Sequence, residues 1–167
     1  KWTRRGVLGG AALGVGSAVV YRQAPLFWQQ YRKEMFQEIA VAPHKPQLAT
    51  WRDTGVQVAW LGHATCLIRL DGFTILTDPV FSDRCGIDLL LLTLGPKRLV
   101  KPALALEELP KIDLVLLSHA HFDHWDLPTL AALANQGTAV LCAKETSDLL
   151  SPAKWKSVEE IAWGESK

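Results

Sequence analysis

The stretch Leu117-Ser-His-Ala-His-Phe-Asp-His-Trp-Asp126 is the most informative part of this chain of 167 residues. Three of the five histidines fall inside it, in the order H-x-H-x-D-H. The segment before it, 112–117, is almost continuously apolar, which is typical of a strand buried on both faces. Asp126 and Pro128 then favour a helix start, as N-cap and first-turn residue. The cluster is therefore predicted on a loop at the carboxyl end of a strand, where α/β sheets bind ligands.

The residue types in this loop are those that bind zinc. Neutral imidazoles and carboxylates ligate Zn²⁺ at about 2.0–2.2 Å. In an extended turn His119 and His121 point the same way, which predicts that they share one ion. Asp123 and His124 are adjacent and diverge, which favours a second ion or the attacking water. Two ions about 3.5–4 Å apart would deprotonate a bridging water. A polar surface loop is the alternative, and four ligand-type residues in this register argue against it.

The segment Ser118–His124 after an apolar strand resembles the signature of the metallo-β-lactamase superfamily. Three further segments, Trp60–Cys66, Leu70–Ser82 and Gly95–Arg98, are similar to the branch containing N-acylphosphatidylethanolamine phospholipase D and the ascorbate-phosphate lactonases. The resemblance covers about residues 51–167. It implies an α/β fold, the amino-terminal half of an αββα sandwich, with two zinc ions in the complete domain.

The resemblance also implies roles for the residues of the motif. His119 and His121 would hold one zinc ion, and Asp123 and His124 would hold the second. Asp123 is in addition the predicted catalytic residue, because it would orient the attacking water.

Two residues upstream of the motif are predicted to support the site without binding metal. Asp78 follows the third predicted strand and precedes Pro79. An acid there can accept a hydrogen bond from a ligand histidine, as the resemblance implies; a turn-forming Asp-Pro is the alternative that the residues alone leave open. His63 lies in the turn Gly62–Thr65, and the resemblance places it near the metals as a supporting residue.

Composition excludes several classes of protein. Lys and Arg total 18 against 17 Asp and Glu, with no long block of one sign. This balance argues against a nucleic-acid-binding surface, which is usually basic. The cysteines Cys66, Cys85 and Cys142 are odd in number and widely spaced, so they form neither a disulfide framework nor a C-x-x-C metal site. Nothing in the sequence predicts an oligomeric state.

Residues 1–24 are predicted to be a twin-arginine-type export signal or a membrane anchor. Arg4 and Arg5 directly precede an uncharged, glycine-rich stretch, 6–20. That stretch is shorter than the roughly 20 residues that span a bilayer. An uncleaved anchor stays open, because no clear small-x-small cleavage site follows. Either interpretation predicts an exported protein, periplasmic or anchored in the inner membrane.

Residues 25–50 are predicted to be an amphipathic helix followed by a linker. Between residues 26 and 40 an apolar side chain recurs at every fourth position, and Pro43 and Pro46 then break the pattern. The stripe consists of Phe27, Tyr31, Met35 and Ile39.

Residues 51–167 are predicted to be the hydrolase domain. Strands are predicted at 56–60, 66–70, 73–77, 112–117, 138–142 and 158–161, and helices at 127–135 and 145–150. Alternating strands and helices indicate a layered α/β sheet. Asp71-Gly72 supplies the positive φ angles of a type I′ hairpin turn between the second and third strands.

The apolar run Ile87–Leu94, followed by Gly-Pro and several cations, has two interpretations. It could contact a membrane surface or an acyl chain that carries a phosphate. A buried helical turn that fills the core is the alternative. The residues of the membrane contact would be Leu89, Leu90, Leu91, Leu92, Lys97 and Arg98.

The predicted function is a zinc-dependent hydrolase that uses a metal-bound hydroxide on a phosphodiester, like a phospholipase D, or on a related ester. The substrate would be a phospholipid or a phosphorylated small molecule. A phosphorylated sugar-acid lactonase and a non-catalytic, membrane-tethered metal-binding protein are the alternatives. After His124 the chain has no histidine, although the resemblance implies later ligands. The domain is therefore interpreted as incomplete, and the 167 residues alone are expected to bind zinc weakly and hydrolyse nothing.

Overall fold

The computed structural model describes residues 25–89 and 92–166. The predicted signal or anchor, 1–24, lies outside the described residues, as do Leu90 and Leu91 of the predicted membrane contact. The described residues divide into two compact units, with the boundary between Glu38 and Ile39. Within the described ranges, no helix combines the length and the apolar character needed to cross a bilayer.

In the first unit, helix α1 (Pro25–Phe36) forms where a helix was predicted but ends earlier. The prediction extended it to Ala40, whose backbone has other partners: its N–H donates to the Leu99 carbonyl, and its carbonyl accepts from the Lys101 N–H. Those two bonds, at 3.0 and 2.8 Å, place Ala40 in a short parallel bridge with Val100 and exclude it from a helix. That α1 buries an apolar stripe stays a prediction.

The described residues of the second unit form eight strands and one further α-helix. These are β1 (Val56–Gly62), β2 (Thr65–Leu70), β3 (Phe73–Thr77), β4 (Ile87–Leu89), β5 (Leu92–Leu94), β6 (Leu114–Leu117), α2 (Leu127–Leu133), β7 (Ala139–Ala143) and β8 (Ser157–Ile161). Six of the strands form one sheet in the order β1-β2-β3-β6-β7-β8. The first three are antiparallel, and β3, β6, β7 and β8 are parallel. This mixed α/β sheet matches the predicted fold class.

The predicted hairpin between β2 and β3 is confirmed. Leu70 pairs with Phe73, and the two residues between them have φ angles of 47° at Asp71 and 83° at Gly72. Positive φ at both central positions is what a type I′ turn requires. The Asp71 carboxylate also accepts the Gly55 N–H at 2.7 Å, which fixes the turn against the start of β1.

Two predicted helices are wrong. The residues 145–150 form only a 3₁₀ turn, Ser147–Leu149, because Glu145 has a left-handed φ of 64° and the Glu160 carboxylate takes the N–H groups of Thr146 and Ser147. In the run Ile87–Leu94 the described residues form two strands, β4 and β5, that pair antiparallel, and not a helical turn. The hairpin is continued at its base by an antiparallel bridge between Arg84 and Lys97.

The core lies on one face of the six-stranded sheet. Leu67, Leu76, Val115 and Val140 project from four neighbouring strands and are at most 1% exposed. Strand β6 therefore alternates between buried and half-buried side chains, instead of being buried on both faces as predicted. The residues that cover this face include Trp125, Leu130 and Trp155, which follow the metal-ligand motif in sequence. Packing of the core thus holds the chain that carries the motif.

Candidate metal centre

The predicted site residues meet at one edge of the six-stranded sheet. Asp78 follows β3 and Ser118 follows β6, and the parallel pairing of Thr77 with Leu116 puts both at the same edge. Cys66 of β2 is paired with Thr77, so the turn from β1 to β2, which contains His63, lies at this edge too. Sheet topology therefore brings together three segments that are far apart in sequence.

The loop after β6 folds back on itself. The backbone N–H groups of His124 and Trp125 both donate to the His121 carbonyl, at 2.9 and 2.7 Å. This tight turn brings three imidazoles of the motif together. The ring centres of His119 and His121 are 4.6 Å apart, and those of His119 and His124 are 4.1 Å apart.

The predicted first metal pair has donor atoms facing each other. His119 Nε2 and His121 Nδ1 are 3.0 Å apart. Around a tetrahedral zinc ion with nitrogen ligands at 2.0–2.1 Å, two such nitrogens stand about 3.3 Å apart. The donor chemistry and the separation of these two rings therefore fit one zinc ion.

A second donor group consists of His63, Asp123 and His124. Their candidate ligand atoms all lie within 4.8 Å of one another. His63 Nε2 is 3.1 Å from Asp123 Oδ2, and His124 Nε2 is 3.7 Å from the same oxygen. His63 and Asp123 are about half exposed, so the group is open to solvent. The structure brings His63 into contact with a predicted ligand 60 residues away, which no local signal in the sequence indicates.

Asp78 orients His124, one of the predicted ligands, by a hydrogen bond. Its carboxylate is buried and accepts three hydrogen bonds: from the Ser118 N–H and Ser118 Oγ, both at 2.8 Å, and from His124 Nδ1 at 2.9 Å. Because an ionised carboxylate only accepts, His124 carries its proton on Nδ1, which leaves Nε2 free to bind a metal. Ser118 Oγ is also 2.9 Å from His119 Nδ1 and fixes that ring in the same way. Ser118 was not among the predicted site residues, although it directly precedes the motif.

As predicted, helix α2 begins directly after Asp126, its N-cap residue. Asp126 occupies the N-cap position but makes no side-chain bond to the helix backbone. Its carboxylate accepts the N–H groups of Phe81 and Ser82, at 3.1 and 3.0 Å, and the hydroxyls of Ser82 and Thr129, at 2.8 and 2.5 Å. These donors surround the buried carboxylate, so it fastens the segment after Asp78 to the start of α2.

Asp123 is electrostatically suited to bind a cation. Burial raises its pKa, but the hydrogen bond from its own backbone N–H and the adjacent His124 and His63 outweigh burial, so the pKa lies below its ordinary value. The side chain is therefore an ionised carboxylate at neutral pH. Burial raises the pKa of the nearby Cys85 thiol, which keeps that sulfur neutral and a poor metal ligand.

A cavity of about 650 Å³ opens beside the second donor group. His63 and Asp123 form part of its wall. Exposed apolar side chains form another part, since Trp60, Leu99 and Val100 are 68%, 59% and 43% exposed. The cations of the wall are Lys97, Arg98 and Lys101. The size is within the range of about 300–1,000 Å³ that is usual for small-molecule sites.

Comparison with curated proteins identifies relatives over part of their length. An uncharacterized protein of Mycobacterium tuberculosis strain H37Rv is 45% identical over 82 residues, covering 49% of this chain and 21% of that protein. N-acyl-phosphatidylethanolamine-hydrolyzing phospholipase D 1 of Caenorhabditis elegans is 34% identical over 125 residues, covering 68% of this chain and 33% of that protein. The chain thus spans about a fifth to a third of the length of these relatives.

Comparison with solved structures supports the fold. A possible metal-dependent hydrolase from Veillonella parvula superposes with a TM-score of 0.51 at 19% identity, over 65% of this chain and 43% of that one. The family model of the beta-lactamase superfamily domain matches residues 74–166, more than half of the chain. The matched residues include most of β3, the strands β6, β7 and β8, Asp78 and the complete H-x-H-x-D-H loop, and the chain belongs to the metallo-β-lactamase superfamily.

Proposed function

We propose that the full-length protein is a zinc-dependent hydrolase that cleaves a phosphodiester bond of a phospholipid. The observation that carries this proposal is the juxtaposition of the second donor group with the apolar, cation-rimmed cavity. His63 and Asp123 belong to both. A substrate in that cavity would therefore reach the metal centre directly.

The zinc ions would be held by the motif. His119 and His121 would bind one ion, and Asp123 and His124 would bind the other, since their donor atoms face each other at the distances given above. When bound, zinc lowers the pKa of water, polarises the phosphoryl oxygen and neutralises developing charge. Asp123, as an ionised carboxylate beside the cavity, would accept a hydrogen bond from the attacking water and orient it.

The cavity fits a substrate that has both apolar and anionic parts. Trp60, Leu99 and Val100 offer apolar surface that soluble proteins normally limit. Lys101 is exposed at the rim, and Arg98 is held in the wall by bonds from its guanidinium to the carbonyls of Val80 and Ser82. A phosphate near these cations with an acyl chain on the apolar side would match both. The phospholipid named for the Caenorhabditis elegans relative has this chemistry.

Membrane proximity and export belong to the same proposal. The β4–β5 hairpin carries Leu89 and Leu92, and Lys97 and Arg98 follow it, so we place the contact with a membrane surface there. Arg4 and Arg5 would direct export to the periplasm or to the outer face of the inner membrane.

The test is turnover by the full-length protein reconstituted with zinc. N-acylphosphatidylethanolamine in vesicles should yield N-acylethanolamine and phosphatidate, and a chelator should stop the reaction until zinc is restored. Lys101→Met should raise KM more than it lowers kcat, because Lys101 lines the cavity but is not one of the proposed metal ligands. Hydrolysis of a phosphorylated lactone but of no phosphodiester would replace the proposal with the lactonase alternative. A metal-loaded protein that hydrolyses neither would refute it.

A further inference from the structure

We infer that His63 is itself a metal ligand, a third donor beside Asp123 and His124, rather than a residue that only supports the site. This inference rests on the proposed function, because it adds a donor to the same metal centre. It changes the composition of that centre: one ligand would come from the β1–β2 turn, outside the H-x-H-x-D-H loop.

The turn that carries His63 is built to direct its side chain. The ladder between β1 and β2 changes register between Trp60 and Gly62, as in a β-bulge. Bulges re-aim side chains and are frequent beside functional sites. His63 also has a φ of 50°, a left-handed conformation that is unfavourable for residues other than glycine and is often retained where it serves a function. The Trp60 indole N–H donates to the His63 carbonyl at 2.6 Å and holds this conformation.

The imidazole of His63 stands at ligand distance from its neighbours. His63 Nε2 is 3.1 Å from Asp123 Oδ2, and His124 Nε2 is 3.7 Å from that oxygen. Donors at 2.0–2.2 Å from a tetrahedral zinc ion stand about 3.3–3.6 Å apart. These two distances lie on either side of that range, and all three donor atoms are within 4.8 Å of one another, so a small adjustment would let them share an ion.

Burial distinguishes His63 from the supporting residues of the site. Asp78, which orients His124, is 7% exposed and is enclosed by the donors it binds. The side chain of His63 is 49% exposed and borders the cavity. Its Nε2 is therefore accessible to an ion from solvent, as a ligand must be, and its partner Asp123 is a ligand-type carboxylate.

The decisive variant is His63→Gly in the full-length protein. Glycine adopts positive φ without strain, so the variant removes the imidazole and relieves the backbone. The metal-free variant should unfold at a temperature no lower than that of the wild type. Its affinity for one of two zinc ions, measured by competition with a chromophoric chelator, should fall by more than about 100-fold. Loss of a merely supporting partner typically costs 10–100-fold.

A second variant and a control make the result specific. His63→Asn should lower zinc affinity as much as His63→Gly does. Asparagine tolerates positive φ, but its side chain is too short to put a donor atom where His63 Nε2 lies beside Asp123. His44→Ala removes another histidine from the wall of the same cavity and should leave zinc affinity unchanged. With cobalt in place of zinc, the visible absorption of one ion should differ from that of the wild type in both His63 variants. The spectrum of the His44→Ala control should be the same as that of the wild type.

The outcomes separate this inference from the proposed function. If the wild type binds two ions and the His63 variants lose less than about 100-fold with an unchanged cobalt spectrum, His63 only orients Asp123 and the inference is wrong, while the proposed function stands. If the wild type binds neither zinc nor cobalt, the proposed function fails and this inference fails with it.

Discussion

Replacing Asp126 with alanine should destabilise the protein strongly. The carboxylate is 7% exposed and accepts bonds from Phe81, Ser82 and Thr129. Phe81 N–H also reaches Thr129 Oγ1 at 3.1 Å and keeps that acceptor in the variant. The Ser82 N–H and hydroxyl lose theirs.

The expected magnitude follows from these bonds. Hydrogen bonds to a charged group contribute about 1.5–3 kcal/mol each, and a buried donor left unpaired costs about 1–3 kcal/mol. Ser82 is only partly buried, so water replaces some of the loss. We therefore expect Asp126→Ala to cost about 3 kcal/mol and Asp126→Asn, which keeps one acceptor oxygen, to cost about 1–2 kcal/mol. The free energy of unfolding of a typical domain is only about 5–15 kcal/mol, so a loss of this size is readily measured.

Urea denaturation followed by tryptophan fluorescence measures this cost, because Trp125 and Trp155 are in the core. With a slope of about 2 kcal/mol/M, the midpoint for Asp126→Ala should fall by about 1.5 M. Asp148→Ala is the matched control, since Asp148 is exposed, and it should change stability by less than about 0.5 kcal/mol. In a double-mutant cycle with Ser82→Ala, the double variant should lose about 1 kcal/mol less free energy of unfolding than the two single variants lose in sum. Equal midpoints for Asp126→Ala and Asp148→Ala would refute the interpretation of this network.

Four shorter predictions test other parts of the molecule. In the full-length protein, His121→Ala and Asp123→Asn should each abolish turnover and reduce bound zinc, as measured by metal analysis; a variant that keeps both would contradict the ligand assignment. Hydrogen bonds from the Ser147 side chain, and from the backbone N–H groups of residues 145–147, lower the pKa of Glu160 to about 2. The stabilising contribution of the Glu160 carboxylate is therefore complete above about pH 4.5 and is lost as the pH falls toward 2. The difference in free energy of unfolding between wild type and Glu160→Gln, measured by denaturation, should narrow over that pH range. Gly95→Ala would put a Cβ 2.0 Å from the Cys85 carbonyl oxygen and should lower stability by about 1–3 kcal/mol, whereas Gly55→Ala meets no atom within 4 Å and should suffer only from its positive φ; equal costs at the two sites would count against a steric clash. Replacing Arg4 and Arg5 with lysine in a reporter fusion should leave the reporter in the cytoplasm, and unchanged export would exclude the twin-arginine interpretation.

The parts of the fold that were predictable from sequence are those with local signals. Asp71-Gly72 dictates a turn by its own backbone preferences, and the mostly apolar strands on either side alternate in burial. The position of the H-x-H-x-D-H loop followed from the apolar strand before it and Pro128 after it. The failures occurred where a distant group competes for the backbone. Glu160 takes the N–H groups that a helix at 145–150 would need, and it is more than ten residues away.

The same reasoning explains what could be predicted of the site. The motif residues are close in sequence, so their chemistry and grouping could be predicted from their spacing alone. The contact of His63 with Asp123 depends on the order of four strands and on the bulge at Trp60. Neither feature can be predicted from the spacing of residues along the sequence. Asp126 was predicted as the N-cap of a helix, and that position is local; the bonds of its carboxylate to Phe81 and Ser82, 45 and 44 residues away, have no local signal.

The two buried aspartates explain how the metal loop can be ordered before metal arrives. Asp78 binds Ser118 at the start of the loop, and Asp126, at its end, binds Ser82. Both ends are thus tied to one short segment, 78–82, which is itself fixed because Thr65 Oγ1 donates to the Asp78 carbonyl and accepts the Val80 N–H. Since the parallel pairing of β3 with β6 sets the spacing of these anchors, the sheet positions the predicted ligands. We therefore expect metal binding to need little reorganisation of the loop, as in preorganised sites.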